Sequence, residues 1–199
     1  EYALYPGANE FKYPKAGEEN ARVSVLTYDI KSRVARTMQV PLEKGDYIPR
    51  IQFSGEKDKL MVMTLNRHQD RLDFYAVNAR STTAQLVLRE ENKRYVDEPA
   101  YCKTDFSGNQ FVLLSERDGY QHLYLYTAGG QLVRQLTSGE YEVTDYYGTD
   151  ATGKAFYYAS NEGSPLEQYI YKVDASGKKT RISTEKGFNT AVFSKGCQY

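Results

Sequence analysis

The chain has no tryptophan, only two cysteines, two histidines and six prolines in 199 residues. Each scarcity closes off a class of function. Cys102 and Cys197 lie 95 positions apart, match no metal-ligand spacing, and are either two free thiols or one bridge. His68 and His122 stand apart from any Cys or Asp cluster, so no metal site is expected, and no Gly-rich phosphate loop announces a nucleotide or other cofactor. No apolar run approaches the roughly 18 residues that read as a membrane span, and no basic-then-apolar leader is present. An excess of one charge is missing too. Lysine plus arginine equals aspartate plus glutamate at 26 each, which argues against a nucleic-acid or membrane-surface partner. There is no G-x-S-x-G elbow, and the one Gly-Ser pair, Gly163-Ser164, runs directly into Pro165. No catalytic residue is expected in this chain.

What the chain has is tyrosine, 19 in all, and a repeat. The segments "LMVMTLNRHQDRLDFYAV" from Leu60, "FVLLSERDGYQHLYLYTA" from Phe111 and "FYYASNEGSPLEQYIYKV" from Phe156 each carry an apolar run, a polar turn and a second apolar run. "VSVLTYDI" from Val23 repeats the second half. Matching Tyr28, Tyr75, Tyr126 and Tyr171 gives spacings of 47, 51 and 45 residues. A short element precedes each hairpin ("RIQFSGEKDK", "KTDFSGNQ", "YGTDATGK", and "TAVFSKG" at the end). Another follows it ("RTMQVPL", "AQLVLRE", "QLVRQLTSG", "KTRIST"). Four short strands in about 45 residues is the period of a β-propeller blade.

Strands such as "FVLL" and "AFYY" are apolar at every position, whereas a sheet with one wet face alternates. Blades stacked face to face bury both sides of their middle strands. Residues 57–77 contain good helix formers, but their alignment with the β-rich copies predicts a strand hairpin instead. The fold class is therefore all-β, a partial propeller with about three complete four-stranded blades, roughly 46–91, 95–139 and 141–184. Residues 1–45 and 187–199 supply parts of two more. Because closed propellers need at least four blades, the chain is expected to be an arc of a larger ring, consistent with a start at Glu1 rather than Met.

Three local features invite a functional reading. "YPKAGEEN" at 13–20 places Glu18 and Glu19 side by side, as an amine-binding pair would need, but also behind a Pro-Lys-Ala-Gly turn where a solvated loop is the plainer reading. "SERDG" at 115–119 is a strand turn whose Arg117 pairs with a neighbouring blade or faces a surface, a ligand-binding arginine being the alternative. His122, at the start of a strand in "YQHLYLY", is expected to pack between blades.

These residues together carry a resemblance. "FKYPKAGEENARVSVLTYDI", "LNRHQDRLDFY", "SERDGYQHLYLYTAGGQLVRQLTSGEYEVTDYYG" and "ASNEGSPLEQYIYKVDASG" resemble the β-propeller of the bacterial dipeptidyl peptidase IV group, within the prolyl oligopeptidase family of serine peptidases. The resemblance covers nearly the whole chain. It implies an eight-bladed propeller followed by an α/β-hydrolase domain with a Ser-Asp-His triad, releasing N-terminal dipeptides whose second residue is proline or alanine. In such a protein the propeller gates access, and a pair of propeller glutamates binds the substrate's α-ammonium. That pair precedes the "YPKAG" segment in the family, so it is expected upstream of Glu1, with Glu18 and Glu19 left as a solvated turn. The triad is likewise expected beyond Tyr199. Residues before a Glu-Pro dipeptide line the substrate site in the family, which through "KRYVDEP" points to Arg94 and Tyr95.

The partners this implies are peptides with Pro or Ala at the second position, the protein's own hydrolase domain and a homodimer mate. The location is periplasmic or at the cell surface of a bacterium, in keeping with the absence of any Asn-x-Ser/Thr sequon. The rival reading is a non-catalytic TolB-like propeller that binds a protein partner. On either reading the isolated arc is expected to fray or to self-associate through its uncovered faces.

Overall fold

A computed structural model of the chain describes residues 4–5, 7–8 and 10–199; the remainder of the leading partial blade, including Glu1, lies outside the described residues. Among the described residues, fourteen strands and one short helix follow in order. The hairpin β1 (Leu26–Asp29) and β2 (Val34–Thr37) leads. Three four-stranded antiparallel sheets come next. They are β3 (Tyr47–Phe53), β4 (Lys59–Leu65), β5 (Arg71–Asn78) and β6 (Ala84–Glu91); β7 (Asp105–Ser107), β8 (Gln110–Ser115), β9 (His122–Thr127) and β10 (Leu132–Gln135); and β11 (Val143–Thr149), β12 (Ala155–Ser160), β13 (Tyr169–Asp174) and β14 (Lys179–Arg181). Within each sheet the strands pair in chain order, as in propeller blades. Among the described residues no helix is long and apolar enough to cross a membrane.

The region 57–77 is a hairpin, with Lys59 opposite Asn78 and Leu65 opposite Leu72. Its middle strands are buried on both faces. So are β8, β9, β12 and most of β13, while β2, β10 and β14 are largely exposed. Alternate residues of one strand therefore serve two different cores. Phe111, Leu113, Tyr124 and Tyr126 face the preceding sheet and pack on Met63, Leu65, Leu72 and Phe74. Val112, Leu114, Leu123 and Leu125 face the following sheet and meet Val143, Phe156, Tyr158 and Tyr171. The rings of Phe74, Phe111 and Tyr126 stack across the first of these seams at 6.3 and 5.2 Å.

The turn after each third strand fixes the true repeat. A side-chain oxygen of Asp29, Asn78, Thr127 or Asp174 accepts a backbone N–H two to four residues on, as Asx and Ser/Thr turns do. These positions are 49, 49 and 47 residues apart. Tyr124, not Tyr126, is thus the counterpart of Tyr75 and Tyr171, and the tyrosine alignment is two residues out. An even slip keeps every side chain on its face, which is why the pattern read correctly despite it.

The sequence pattern contained no helix, yet α1 (Pro99–Cys102) makes one turn between the 47–91 and 105–135 sheets. Pro99 suits a first helical position because its missing N–H has no partner there in any case. Residues 187–199 form no strand. They bridge once, Phe188 to Gln168, and lay Phe193 on Tyr147 and Tyr157 across the far face of the last sheet. At the other end, the β1–β2 hairpin covers the outer half of the 47–91 sheet through Met38 and Val25. Ile51 and Phe53 on β3 stay 52% and 84% exposed.

Polar groups join the sheets at the same end each time. Gln121 works at both ends of itself: its carbonyl accepts from Val143 N–H at 2.8 Å, and its amide Nε2 donates to Val143 carbonyl at 2.6 Å. Gln168 repeats this with Asn189, at 3.0 and 2.9 Å. Between the earlier pair of sheets only the backbone half is made, Val96 N–H to the Gln69 carbonyl at 2.7 Å. Along the seam between β7 and β11, Asp105 accepts a 3.5 Å bond from the Thr149 hydroxyl, and Thr149 lies 2.7 Å from Tyr146 Oη. Burial pushes the Asp105 carboxyl above the usual aspartate value, and the Thr149 bond offsets this only in part.

Two outcomes are expected. Gly130 has a positive φ of 85° and lies so close to the preceding sheet that a Cβ there would sit 1.8 Å from the Val87 carbonyl oxygen. Gly130→Ala should therefore cost about 3 kcal/mol in chemical denaturation, whereas Gly163→Ala, strained in φ but facing open space, should cost about 1 kcal/mol. Asp105→Asn should raise the melting temperature at pH 7. Well below the ordinary aspartate pKa both states are protonated and no penalty exists; it grows as pH rises from that value and is complete above the elevated folded-state one. The gain should thus vanish in melts near pH 3.5, and an equal gain at both pH values would contradict the burial argument.

Candidate functional site

Loops between second and third strands, and the segments that cross from sheet to sheet, gather at one end of the structure because the glutamine clasps tie them together. The segment after β6 crosses here, and it holds both sequence-predicted site residues. Asn92 N–H donates to the Asp70 carbonyl at 3.0 Å, Arg94 N–H to Asn92 Oδ1 at 3.0 Å, and Val96 is buried. The stem is held while Arg94 and Tyr95 project, Tyr95 being 56% exposed. Both side chains line an open basin of about 740 Å³ together with Glu91, Lys93, Glu116 and Arg117.

The far wall of the basin is the "SERDG" turn. Arg117 pairs with the neighbouring sheet, its Nη2 2.6 Å from Glu90 Oε2. Its Nη1 donates to Tyr126 Oη at 2.6 Å and its Nε to Ser115 Oγ at 2.9 Å. The guanidinium lies 4.3 Å from the centre of the Tyr124 ring, within cation–π range. Ser115 Oγ donates to the other oxygen of Glu90, whose side chain is only 9% exposed. Beside this pair, burial pushes the Glu116 carboxyl above its ordinary value, and the charges of Asp97 and Glu142 add to the shift. The basin therefore offers the exposed cations Lys93 and Arg94, a fixed guanidinium in its wall, one exposed phenol and a carboxyl that takes a proton more readily than a solvated one. That set suits a polar ligand with both donors and acceptors.

The other candidates fall elsewhere. Glu18 sits in an exposed turn closed by its own N–H to the Lys15 carbonyl at 3.0 Å. Glu19 pairs with Lys44 at 2.5 Å and with Arg22 at 3.9 Å, all well exposed. Neither reaches the basin residues. His122 is fully buried between sheets, with Nε2 donating to the Gly139 carbonyl at 3.0 Å and Nδ1 3.1 Å from Thr137 Oγ1. Both ring nitrogens are thus taken. Cys102 and Cys197 are free thiols, and burial raises the pKa of each, which favours the unreactive protonated form. Among the described residues no group of three or more His, Cys, Asp or Glu is placed to hold a metal ion.

Two features went unread in the sequence. Glu90, inside the charged run "REENKR" at 89–94, is a buried partner of Ser115 and Arg117, and nothing local distinguishes it from Glu91 beside it. The clasp glutamines could have been found, since a Gln recurs in each hairpin in "NRHQ", "DGYQ" and "PLEQ".

With this geometry in view, the relatives are informative. The family model described as the dipeptidyl peptidase IV (DPP IV) N-terminal region matches residues 1–199. The crystal structure of Porphyromonas gingivalis dipeptidyl peptidase 4 superposes with a TM-score of 0.91 at 42% identity, over 98% of this chain and 28% of that one. A putative dipeptidyl aminopeptidase IV from Bacteroides ovatus, 23% identical, shares the fold with a TM-score of 0.72 over 89% of this chain. Dipeptidyl-aminopeptidase B of Aspergillus niger is 31% identical across 98% of this chain and 24% of its own length. The chain thus spans about a quarter of the curated relatives it matches. It belongs to the dipeptidyl peptidase IV N-terminal region family, and its three sheets are blades of that family's propeller.

Proposed function

We propose that this chain is the propeller portion of a serine dipeptidyl peptidase that releases N-terminal Xaa-Pro, and less readily Xaa-Ala, dipeptides. The observation that carries the reading is the match of the dipeptidyl peptidase IV N-terminal model to all 199 residues. The chain's part is to gate and shape substrate access. The chemistry of acyl transfer is the work of an α/β-hydrolase domain in the same polypeptide, and with it come the peptide substrates as partners. Arg94 and Tyr95 line the outer side of the substrate site. Arg94 there offers charge-assisted hydrogen bonds to substrate carbonyls, and Tyr95 a ring against which an N-terminal side chain packs. The glutamates that bind the α-ammonium precede this chain, and Glu18 and Glu19 serve only its surface. The parent protein is bacterial, acts in the periplasm or at the cell surface, and pairs as a homodimer. Relatives of this kind do not favour the reading as a protein-binding propeller.

The test is steady-state hydrolysis of Xaa-Pro-p-nitroanilides. The full-length protein should turn them over and the 199-residue chain should not; turnover by the chain alone would contradict this division of labour. In the full-length protein, Arg94→Ala and Tyr95→Ala should each raise KM about fivefold to tenfold with kcat within about twofold, the signature of lost uniform binding.

A further inference from the structure

Arg94 and Tyr95 are exposed, and among the described hydrogen bonds none is made by either side chain. Their aim is therefore set by the backbone of residues 91–96. One end of that backbone is pinned where Val96 N–H meets the Gln69 carbonyl. The other end, tied to its own sheet by Asn92 N–H on the Asp70 carbonyl, follows Glu90, whose buried carboxylate is held by Ser115 and Arg117 of the next sheet. Arg117 is itself fixed on every side: Nε by Ser115, Nη1 by Tyr126, Nη2 by Glu90, and its flat face by Tyr124. A planar, five-donor fork is suited to this, since satisfying several acceptors at once leaves it a single orientation. The opposite wall of the basin is made by the same residue.

We infer that the Glu90–Arg117 pair positions the Arg94–Tyr95 segment for substrate, setting the width of the basin by locking one wall to the other across the seam. The inference rests on the reading of Arg94 and Tyr95 given above. Arg117 acts here as a positioning residue, through the loop.

Replacing one partner leaves the other charge buried and unpaired, so the loop root is released from the seam. In the full-length protein, Arg117→Met and Glu90→Gln should each raise KM for Ala-Pro-p-nitroanilide about tenfold, with kcat within about twofold. Amide hydrogen exchange at residues 92–95 should quicken in both, while the 143–181 sheet stays at its wild-type rate. Should Arg117→Met fail to fold, Arg117→Lys keeps the charge opposite Glu90 but loses the fork, and should give the same effects in smaller measure. Adding Arg94→Ala to Arg117→Met should raise KM no further, because misplacing a side chain and deleting it forfeit the same contact. The positioning role is overturned if Arg94→Ala raises KM but folded Arg117 variants do not, or if the two effects are additive. If Arg94→Ala and Tyr95→Ala leave KM unchanged, the placement of these two residues in the substrate site fails and this inference falls with it, while turnover by the full-length protein still stands as the separate test of the peptidase reading.

Discussion

The middle strands of the three sheets are largely apolar and buried on both faces, and that single constraint organises the rest. A sheet of this composition has no side it can turn to water, so each one is stable only between neighbours. The sheet 105–135 shows the arrangement in full: Leu113 and Tyr124 belong to one core, Leu114 and Leu123 to another, on the same two strands. Fully burying a side chain of this size contributes about 1.5–3 kcal/mol, and each such gain here is shared across a seam between two sheets. Where a neighbour is incomplete, apolar residues stay exposed, as Ile51 and Phe53 do. Where it is replaced, an irregular segment does the covering, as Phe193 does over Tyr147 and Tyr157.

Stacking by apolar contact alone is not directional, and polar groups supply the register. The clasp of Gln121 fixes where the 105–135 sheet meets the 143–181 sheet, that of Gln168 fixes the trailing segment on the last sheet, and Gly130 lets backbones approach closer than any side chain allows. The same seam then becomes a place to hold chemistry. A segment that crosses from sheet to sheet is anchored at both ends by the packing, so exposed residues such as Arg94 and Tyr95 are presented on a defined stem. The fold supports recognition without devoting a regular element to it.

Much of this was legible from the residues. The turn residues at 66–70, 116–121 and 161–167, with apolar runs on both sides, revealed the hairpins, and the strands' lack of alternation revealed that sheets must stack. The helix-forming composition of 57–77 did not mislead, because its homologous copies contain Asp-Gly and Gly-Ser-Pro where a helix would continue. The tyrosine alignment failed by two residues since tyrosine occupies several positions on one face, and only the hydrogen-bonded turns at Asp29, Asn78, Thr127 and Asp174 fix the count. Glu90 was invisible for a different reason. Its burial is decided by Arg117, 27 residues on, and no local pattern in "REENKR" records that partner.

If neighbours, rather than each sheet's own hydrogen bonds, hold the structure together, protection should follow the stacking. Native-state hydrogen exchange on the 199-residue chain measures this residue by residue. The account predicts that amides of β8 and β9, covered on both faces, exchange slowest, and that those of β1 and β2 exchange fastest among the paired strands. Equal protection of the β1–β2 hairpin and the β8–β9 pair would contradict it.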